Sequence, residues 1–399
     1  MRWRLSLLIF LLYSPAGAIL PLLSRHLEKL GFTPLEIGWV CATQALAVLV
    51  GPLAAGQLAD RWWPAERCLA VCGLLSGGLL WVMVGLTDPW PMFAAGLAFW
   101  LFMGPAITLG TGLTFTHLRY PERHFGSVPL WGTVGWIVAS WVVGGWLALT
   151  ARPVSQEDLS DMFRVAAALA LALGIYALTV PHTPPQHRLG SPLAPLAALR
   201  FLGDRSFAVY TFGSLGVCLT MAFNSQGTQL LLQRRGVPDP WLAPVQTLSQ
   251  GTEVLSLALL PMLHLRLGLP GTMFLGLAAW TLGLSAFAWG GPMWLVIAML
   301  GTWGACVSCY LVSGQVFVNG RARGDMRTSA QGLLNFVNGL GMLIGNLLAG
   351  GIRERLAGEL SPTFAVAAGL MIGVLFVFLS GFSEKNGRPP GTRKTGNKE

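Results

Sequence analysis

Charge is scarce in this chain. Of its 399 residues, 11% are Asp, Glu, Lys or Arg and 53% are hydrophobic, whereas a soluble domain is about 25% charged. No soluble core could hide that much apolar surface, so most of it must face lipid. Catalytic signatures are missing as well. There is no HExxH, no GxSxG and no Walker-type phosphate loop. This excludes the common hydrolase sites and an ATP-driven pump, so uphill work would have to draw on an ion gradient. The six cysteines (Cys41, Cys68, Cys72, Cys218, Cys306 and Cys309) all lie in or beside apolar runs. The one CxxC, starting at Cys306, has no second pair and no βαβ context, so it reads as small buried side chains. No metal and no cofactor are expected. The net charge of +9 does not point to nucleic acid, because no basic face carries interleaved aromatics.

Long apolar runs dominate instead. A spanning helix needs roughly 20 apolar residues, and about twelve such segments follow one another, centred near residues 13, 46, 77, 103, 139, 170, 215, 252, 280, 303, 340 and 371. The first, RLSLLIFLLYSPAGAIL, follows Arg2 and Arg4 and reads as a retained helix, since Pro15 and Gly17 suit a cavity-lining span better than a leader. With the N-terminus on side one, 18 of the 26 Lys and Arg fall in loops on that side. The positive-inside rule then puts both termini in the cytoplasm of a multi-pass inner-membrane protein.

The sharpest break in apolar character is the proline-rich HTPPQHRLGSPLAPLAALRFLGD, and it divides the runs six and six. The expected layout is residues 1–181, a cytoplasmic linker over 182–205, residues 206–383, and a polar cytoplasmic tail over 384–399. The halves echo each other. A basic loop with Arg119 and Arg123 leads into GSVPLWGTVGWIVASWVVGG, and one with Arg321, Arg323 and Arg327 leads into TSAQGLLNFVNGLGMLIGNLLAGG, so that Ser127 and Ser329 correspond. Glycines in such helices let backbones pack closely. Two related six-helix halves are the layout of the major facilitator superfamily, with the solute site near the midplane between them. The fold class is therefore all-α, twelve transmembrane helices in two pseudo-symmetric six-helix bundles, and a monomer is expected.

One acid stands inside a run. Glu253 lies near the middle of WLAPVQTLSQGTEVLSLALLPML, where an ionised carboxylate costs about 2.5–3.5 kcal/mol. Gln246, Gln250 and Glu253 fall at i, i+4 and i+7, one helical stripe of amide, amide and carboxyl. A packing hydrogen bond needs one amide; three groups in register fit a solute and proton site facing the bundle interior. No cation lies within any run to hold Glu253 ionised. Weaker interior polar groups are Thr133, Trp136 and Ser140 in the fifth run, Asn224 and Gln226 in the seventh, Thr108 and Thr111 in the fourth, Ser308 and Tyr310 in the tenth, and Asn335 and Asn338 in the eleventh. Lone Ser and Thr hydroxyls are usually satisfied by their own helix backbone. Amides with an aromatic face suit a neutral, polar, ring-containing solute.

Five stretches carry a family resemblance, at two levels. GQLADRWWPAER over 56–67 resembles the loop motif of the major facilitator superfamily, through Gly56, Asp60 and Arg61; Trp62, Trp63 and Pro64 replace the motif's glycine and basic pair. LWGTVGWIVASWVV, SQGTEVLSLALLP with the following HLRLG, VSGQVFV and RTSAQGLLNFVNGLG resemble, in that order, the bacterial nucleoside:proton symporters. The resemblance implies proton-coupled uptake of nucleosides or a similar small polar ring-containing solute, and no enzymatic activity. Carried over residue by residue, it implies solute contacts from Thr133, Trp136, Asn224, Gln250 and Glu253, with Glu253 also taking the proton. Gly56, Asp60 and Arg61 would brace the gate. The family's fifth-helix Arg is Pro129 here, its tenth-helix Asp aligns with Ser308, and a seventh-helix Gln with Met221. A symporter for a sugar or an aromatic acid, or a sensor that binds without flux, are the competing readings.

Overall fold

The computed structural model describes residues 2–61, 64–117, 130–149, 156–184, 198–321 and 326–383. The described chain is all-helical. Its elements are α1 (Arg2–Ile19), α2 (Leu23–Lys29), α3 (Pro34–Arg61), α4 (Ala65–Met83), α5 (Pro89–His117), α6 (Leu130–Leu149) and α7 (Gln156–Ala177). After a 3-10 turn over Ala198–Gly203 come α8 (Arg205–Arg234) and α9 (Asp239–Trp289). They are followed by α10 (Met293–Met299), α11 (Gly301–Cys306), α12 (Ser313–Arg321), α13 (Met326–Arg355) and α14 (Leu360–Gly381). Ten of the resulting helical stretches are long and apolar enough to cross a membrane, and Pro34–Val50 is a shorter apolar one.

Local chemistry explains the boundaries. Asp204 caps α8, accepting from the backbone N–H of Ser206 at 2.9 Å and Phe207 at 3.1 Å, as a side-chain oxygen at that position should. The apolar runs near 252 and 280 share one 51-residue helix, α9, but the backbone breaks at Gly268, with φ 68° and ψ 174°. Glycine tolerates that left-handed φ at little cost, and Pro270 follows it, so the helix is sharply kinked there. Between α11 and α12, residues Val307–Val312 form a π-helical turn. Such turns recur at functional sites.

The family resemblance places the stretch 56–67 in a loop. Instead α3 runs on through Arg61, because LAAGQLADR holds no proline and favours helix until Pro64 stops it. Gly56, Asp60 and Arg61 are therefore helical, and their side chains lie outside the described residues. Also outside them are Ser127, Pro129 and the tail over 384–399, together with much of the linker.

The helices fall into two packed sets. α1 lies against α5, α6 and α7, with α4 on α5 and α7; α8 lies against α13 and α14, with α9 on α11 and α14. Between the sets α3 meets α13 and α6 meets α9. Lipid supplies no hydrophobic drive to hold such helices together, so close backbone approach must do it. A Cβ on Gly73 of α4 would lie 2.7 Å from the amide nitrogen of Gly174 on α7, and one on Gly17 of α1 would lie 2.6 Å from Trp136 Cα on α6.

At one end of the molecule the sets are tied by charge. Arg25 reaches Asp239 at 3.2 Å, Lys29 reaches Asp239 at 3.8 Å, and Arg234 reaches Glu28 at 3.1 Å. Nearby, the Leu35 amide donates to Glu354 at 3.0 Å.

Gly73 and Gly78 make a matched test. Gly73→Leu should lower the thermal midpoint in detergent, with overpacking costing about 1–3 kcal/mol. Gly78→Leu, whose Cβ meets nothing within 4 Å, should leave it unchanged or raise it. Equal midpoints for the two variants would contradict the backbone contact.

Candidate functional site

The stripe on α9 is built against α8, α11 and the π-helical turn. Gln246 accepts from Gln229 Nε2 of α8 at 2.7 Å. That bond ties α8 to α9. Asn224 is almost fully buried, and its Oδ1 accepts from Thr228 at 2.7 Å. Gln250 Oε1 is buried with no hydrogen-bond partner among the described residues. An amide oxygen left so costs about 1–3 kcal/mol, which a bound solute donating to it would relieve.

Glu253 is held by its backbone. Its carbonyl accepts from Ser308 Oγ at 3.0 Å. Gly304 lies so close that a Cβ there would meet Glu253 N, Glu253 Cα and Ser249 O. Ser249 in turn donates to Leu300 O at 3.1 Å. These contacts clamp α9 to the 300–312 stretch and leave the Glu253 side chain half-buried. Its carboxyl makes no hydrogen bond or ion pair with any described residue. The 130–149 and 300–312 stretches packed against it hold no Asp, Glu, Lys, Arg or His.

Across from α9, α6 brings the aromatic group. Trp141 Nε1 donates to Thr247 at 3.3 Å, and a Cβ on Gly144 would lie 2.6 Å from Pro240 O. Trp136 is anchored through its backbone on Gly17, with Ser140 donating to Gly17 O at 2.9 Å. The indole Nε1 is buried with no partner among the described residues. Trp136 thus holds a buried donor, and Gln250 a buried acceptor, with no partner among the described residues.

Several expected polar groups serve the fold instead. Thr108 and Thr111 donate to Gly104 O and Ile107 O at 3.2 and 2.7 Å, within their own helix. Gln226 donates to Asn346 Oδ1 at 2.7 Å, joining α8 to α13. Tyr310 donates to Tyr210 O at 3.2 Å, and Asn335 is exposed. Ser308, which stands where the resembling family has an acid, spends its hydroxyl on the Glu253 carbonyl. Sequence reasoning misses Tyr13 of α1. Its ring lies against Gly132 of α6, where a Cβ would come 2.8 Å from Tyr13 Cδ2. The available signal is a tyrosine inside an apolar run, one of only five in the chain.

Comparison with known proteins bears on this geometry. The sequence model of the family described as "Nucleoside H+ symporter" matches residues 1–387. Xanthosine permease of Escherichia coli (strain K12) is 28% identical over 87% of this chain and 86% of that protein. Nucleoside permease NupG of the same organism is 26% identical over 98% of each. A crystal structure of a point variant of nucleoside transporter NupG superposes with a TM-score of 0.85 at 23% identity, covering 96% of this chain and 100% of that one. That likeness shows a shared fold.

The Ser308 contact separates packing from chemistry. Ser308→Ala should cost about 0.5–1.5 kcal/mol of stability, seen as a lower thermal midpoint. The pH profile of transport should stay where it is, and a moved profile would assign Ser308 a part in proton handling.

Proposed function

The chain belongs to the nucleoside H+ symporter family, and from that membership together with the site geometry we infer how it moves its solute. It is a secondary transporter of the membrane, not an enzyme, and it couples nucleoside transport to protons. In our reading Glu253 takes the proton and contacts the solute. Gln250 and Asn224 hydrogen-bond the base or sugar, Thr133 supplies a hydroxyl, and Trp136 stacks on the ring and donates from Nε1. The observation that carries this is that Trp136 Nε1 and Gln250 Oε1 are buried without a partner among the described residues, on helices that also carry Thr133 and Glu253. A neutral polar ring satisfies both, whereas a phosphate would meet no Arg or Lys there.

The finer architecture belongs to the same proposal. We count Pro34–Arg61 as a crossing and divide α9 at Gly268, which gives twelve crossings. They form two six-helix bundles over residues 1–181 and 206–383, joined by a cytoplasmic linker over 182–205. The Lys and Arg bias supports cytoplasmic termini. The ion pairs of Arg25, Lys29 and Glu28 with Asp239 and Arg234 then lie at the outer end, so this conformation is closed outward. Alternating access requires them to part as the bundles rock about the midplane. Gly56, Asp60 and Arg61 would brace the opposite gate, and the transporter works as a monomer in the bilayer.

Pro129 and Ser308, in place of the family's Arg and Asp, leave room for another solute such as a sugar or an aromatic acid. Uptake of radiolabelled uridine and adenosine into vesicles, against a sugar and aromatic-acid panel, decides between them. Binding without flux would instead identify a sensor.

Two substitutions test the site. Glu253→Gln should abolish proton-driven accumulation of nucleoside while leaving the thermal midpoint and solute exchange in place; undiminished accumulation would remove Glu253 from coupling. Gln250→Leu should raise KM about 3–10-fold, the worth of one neutral hydrogen bond. An unchanged KM would show that the amide faces no solute.

A further inference from the structure

One stripe of α13 presses on α3. Asn346, Gly350 and Arg353 fall at i, i+4 and i+7, so they share a helix face. The first two meet the α3 backbone. A Cβ on Gly38 would lie 2.7 Å from Asn346 O, and one on Gly350 would lie 2.5 Å from Pro34 O. Beside them Glu354 accepts from the Leu35 amide at 3.0 Å. α3 belongs to residues 1–181 and α13 to residues 206–383, so this seam joins the two helix sets. The third member of the stripe puts a guanidinium into it. Arg353 is only 3% exposed. Among the described residues its Nη1 has no hydrogen-bond partner, and no carboxylate forms an ion pair with it. The acids around the seam are engaged elsewhere. Glu28 is shared by Arg25 at 3.3 Å and Arg234 at 3.1 Å, and Asp239 by Arg25 and Lys29. Glu36 accepts from the Thr33 amide at 2.7 Å, and Glu354 is spent on Leu35.

A guanidinium keeps its charge, and a buried charge without a partner is costly. Arg353 lies in the last turn of α13, where the helix dipole favours a cation, but that offset is smaller than the hydration lost. Resting on the reading of this conformation as closed outward, we propose that Arg353 is an opposing charge built into the outer gate. Arg25, Lys29 and Arg234 draw the two sets together through ion pairs. Arg353 favours their separation, because parting α3 from α13 returns its guanidinium to water. Basic residues at one end of the molecule thus act in opposite directions, and the difference lies in whether a carboxylate meets them. The outer gate is held near balance instead of locked. Alternating access requires such a balance, since a gate too stable when shut would leave the solute site open to one side only.

The test uses the full-length protein, purified in detergent for thermal midpoints and in whole cells for gate opening. Opening is read at Cys41, a free, half-buried cysteine of α3 one turn from Gly38. Its rate of modification by a membrane-impermeant methanethiosulfonate added outside is measured, with Cys41→Ser as the background. Arg353→Met keeps much of the bulk and removes the charge. Its midpoint should rise, and Cys41 modification should slow about 5–30-fold. Arg353→Lys keeps the charge and should follow the parent. Arg25→Met loosens the tie and should speed Cys41 modification. A lower midpoint in Arg353→Met, or modification unchanged or faster, overturns the proposal. Arg353→Lys slowed as far as Arg353→Met overturns it too, because shape and not charge would then be the cause. So does a parent midpoint that rises in chloride over gluconate with no response in Arg353→Met, since an anion would then pair the guanidinium. Arg25→Met with unchanged Cys41 modification overturns the outward-closed reading as well; faster modification there keeps that reading whatever Arg353→Met does. Should Arg353→Met fail to fold, Arg353→Gln is read in the same way, and failure of both overturns the proposal.

Discussion

A carboxyl in an apolar interior is stable in water's absence only if it is paired, protonated or met by a ligand. Glu253 pairs with no described residue, and under the proposed function its charge is managed by gain and loss of a proton. Much of the surrounding chain makes sense under that constraint. The neighbouring stretches 130–149 and 300–312 hold no charged side chain. Nearby amides and hydroxyls are either committed to fixed partners, as Gln246 and Ser308 are, or left unfilled, as Gln250 and Trp136 are. A cation within reach would lock the carboxyl into its charged form and end its usefulness as a carrier.

Holding that site still is a packing problem in a solvent that gives apolar side chains no reason to associate. Glycine provides the answer at each contact that matters. Gly304 brings the tenth apolar run onto the backbone of Glu253, Gly17 does the same for Trp136, and Gly132 accepts the Tyr13 ring. The functional side chains are therefore positioned through main chain on main chain, which is stiffer than contact through flexible side chains. The same logic explains Ser249 and Ser308. Each donates across to a carbonyl, and each adds a directional bond where shape alone would permit sliding.

Much of this is legible in the amino acids alone. The all-helical membrane fold follows from runs of apolar residues, and the amide-amide-carboxyl stripe follows from spacing on a single helix. Both signals are local and periodic. What stays hidden depends on register between distant segments. Nothing about Ser308 in isolation says that its hydroxyl serves the Glu253 carbonyl, because that contact joins two helices about fifty residues apart. Tyr13 is hidden for the same reason, since its ring lies against Gly132 of a helix distant in sequence. Over 56–67 the motif resemblance suggests a loop, and the helix-favouring composition of that stretch overrides it. Gly268 looks like any other glycine in HLRLGLP, yet the helix is sharply kinked there.

The charged end of the molecule has a consequence outside transport chemistry. Asp239 answers to both Arg25 and Lys29, and Arg234 to Glu28, all at least partly shielded but still reached by solvent. At an ionic strength of 0.15 M charges are screened over about 8 Å, and at 0.01 M over about 30 Å. The strength of the tie between the two helix sets is thus set partly by the salinity of the bathing medium. A change in the ionic strength of the solution bathing that end would retune the tie, with no change in sequence.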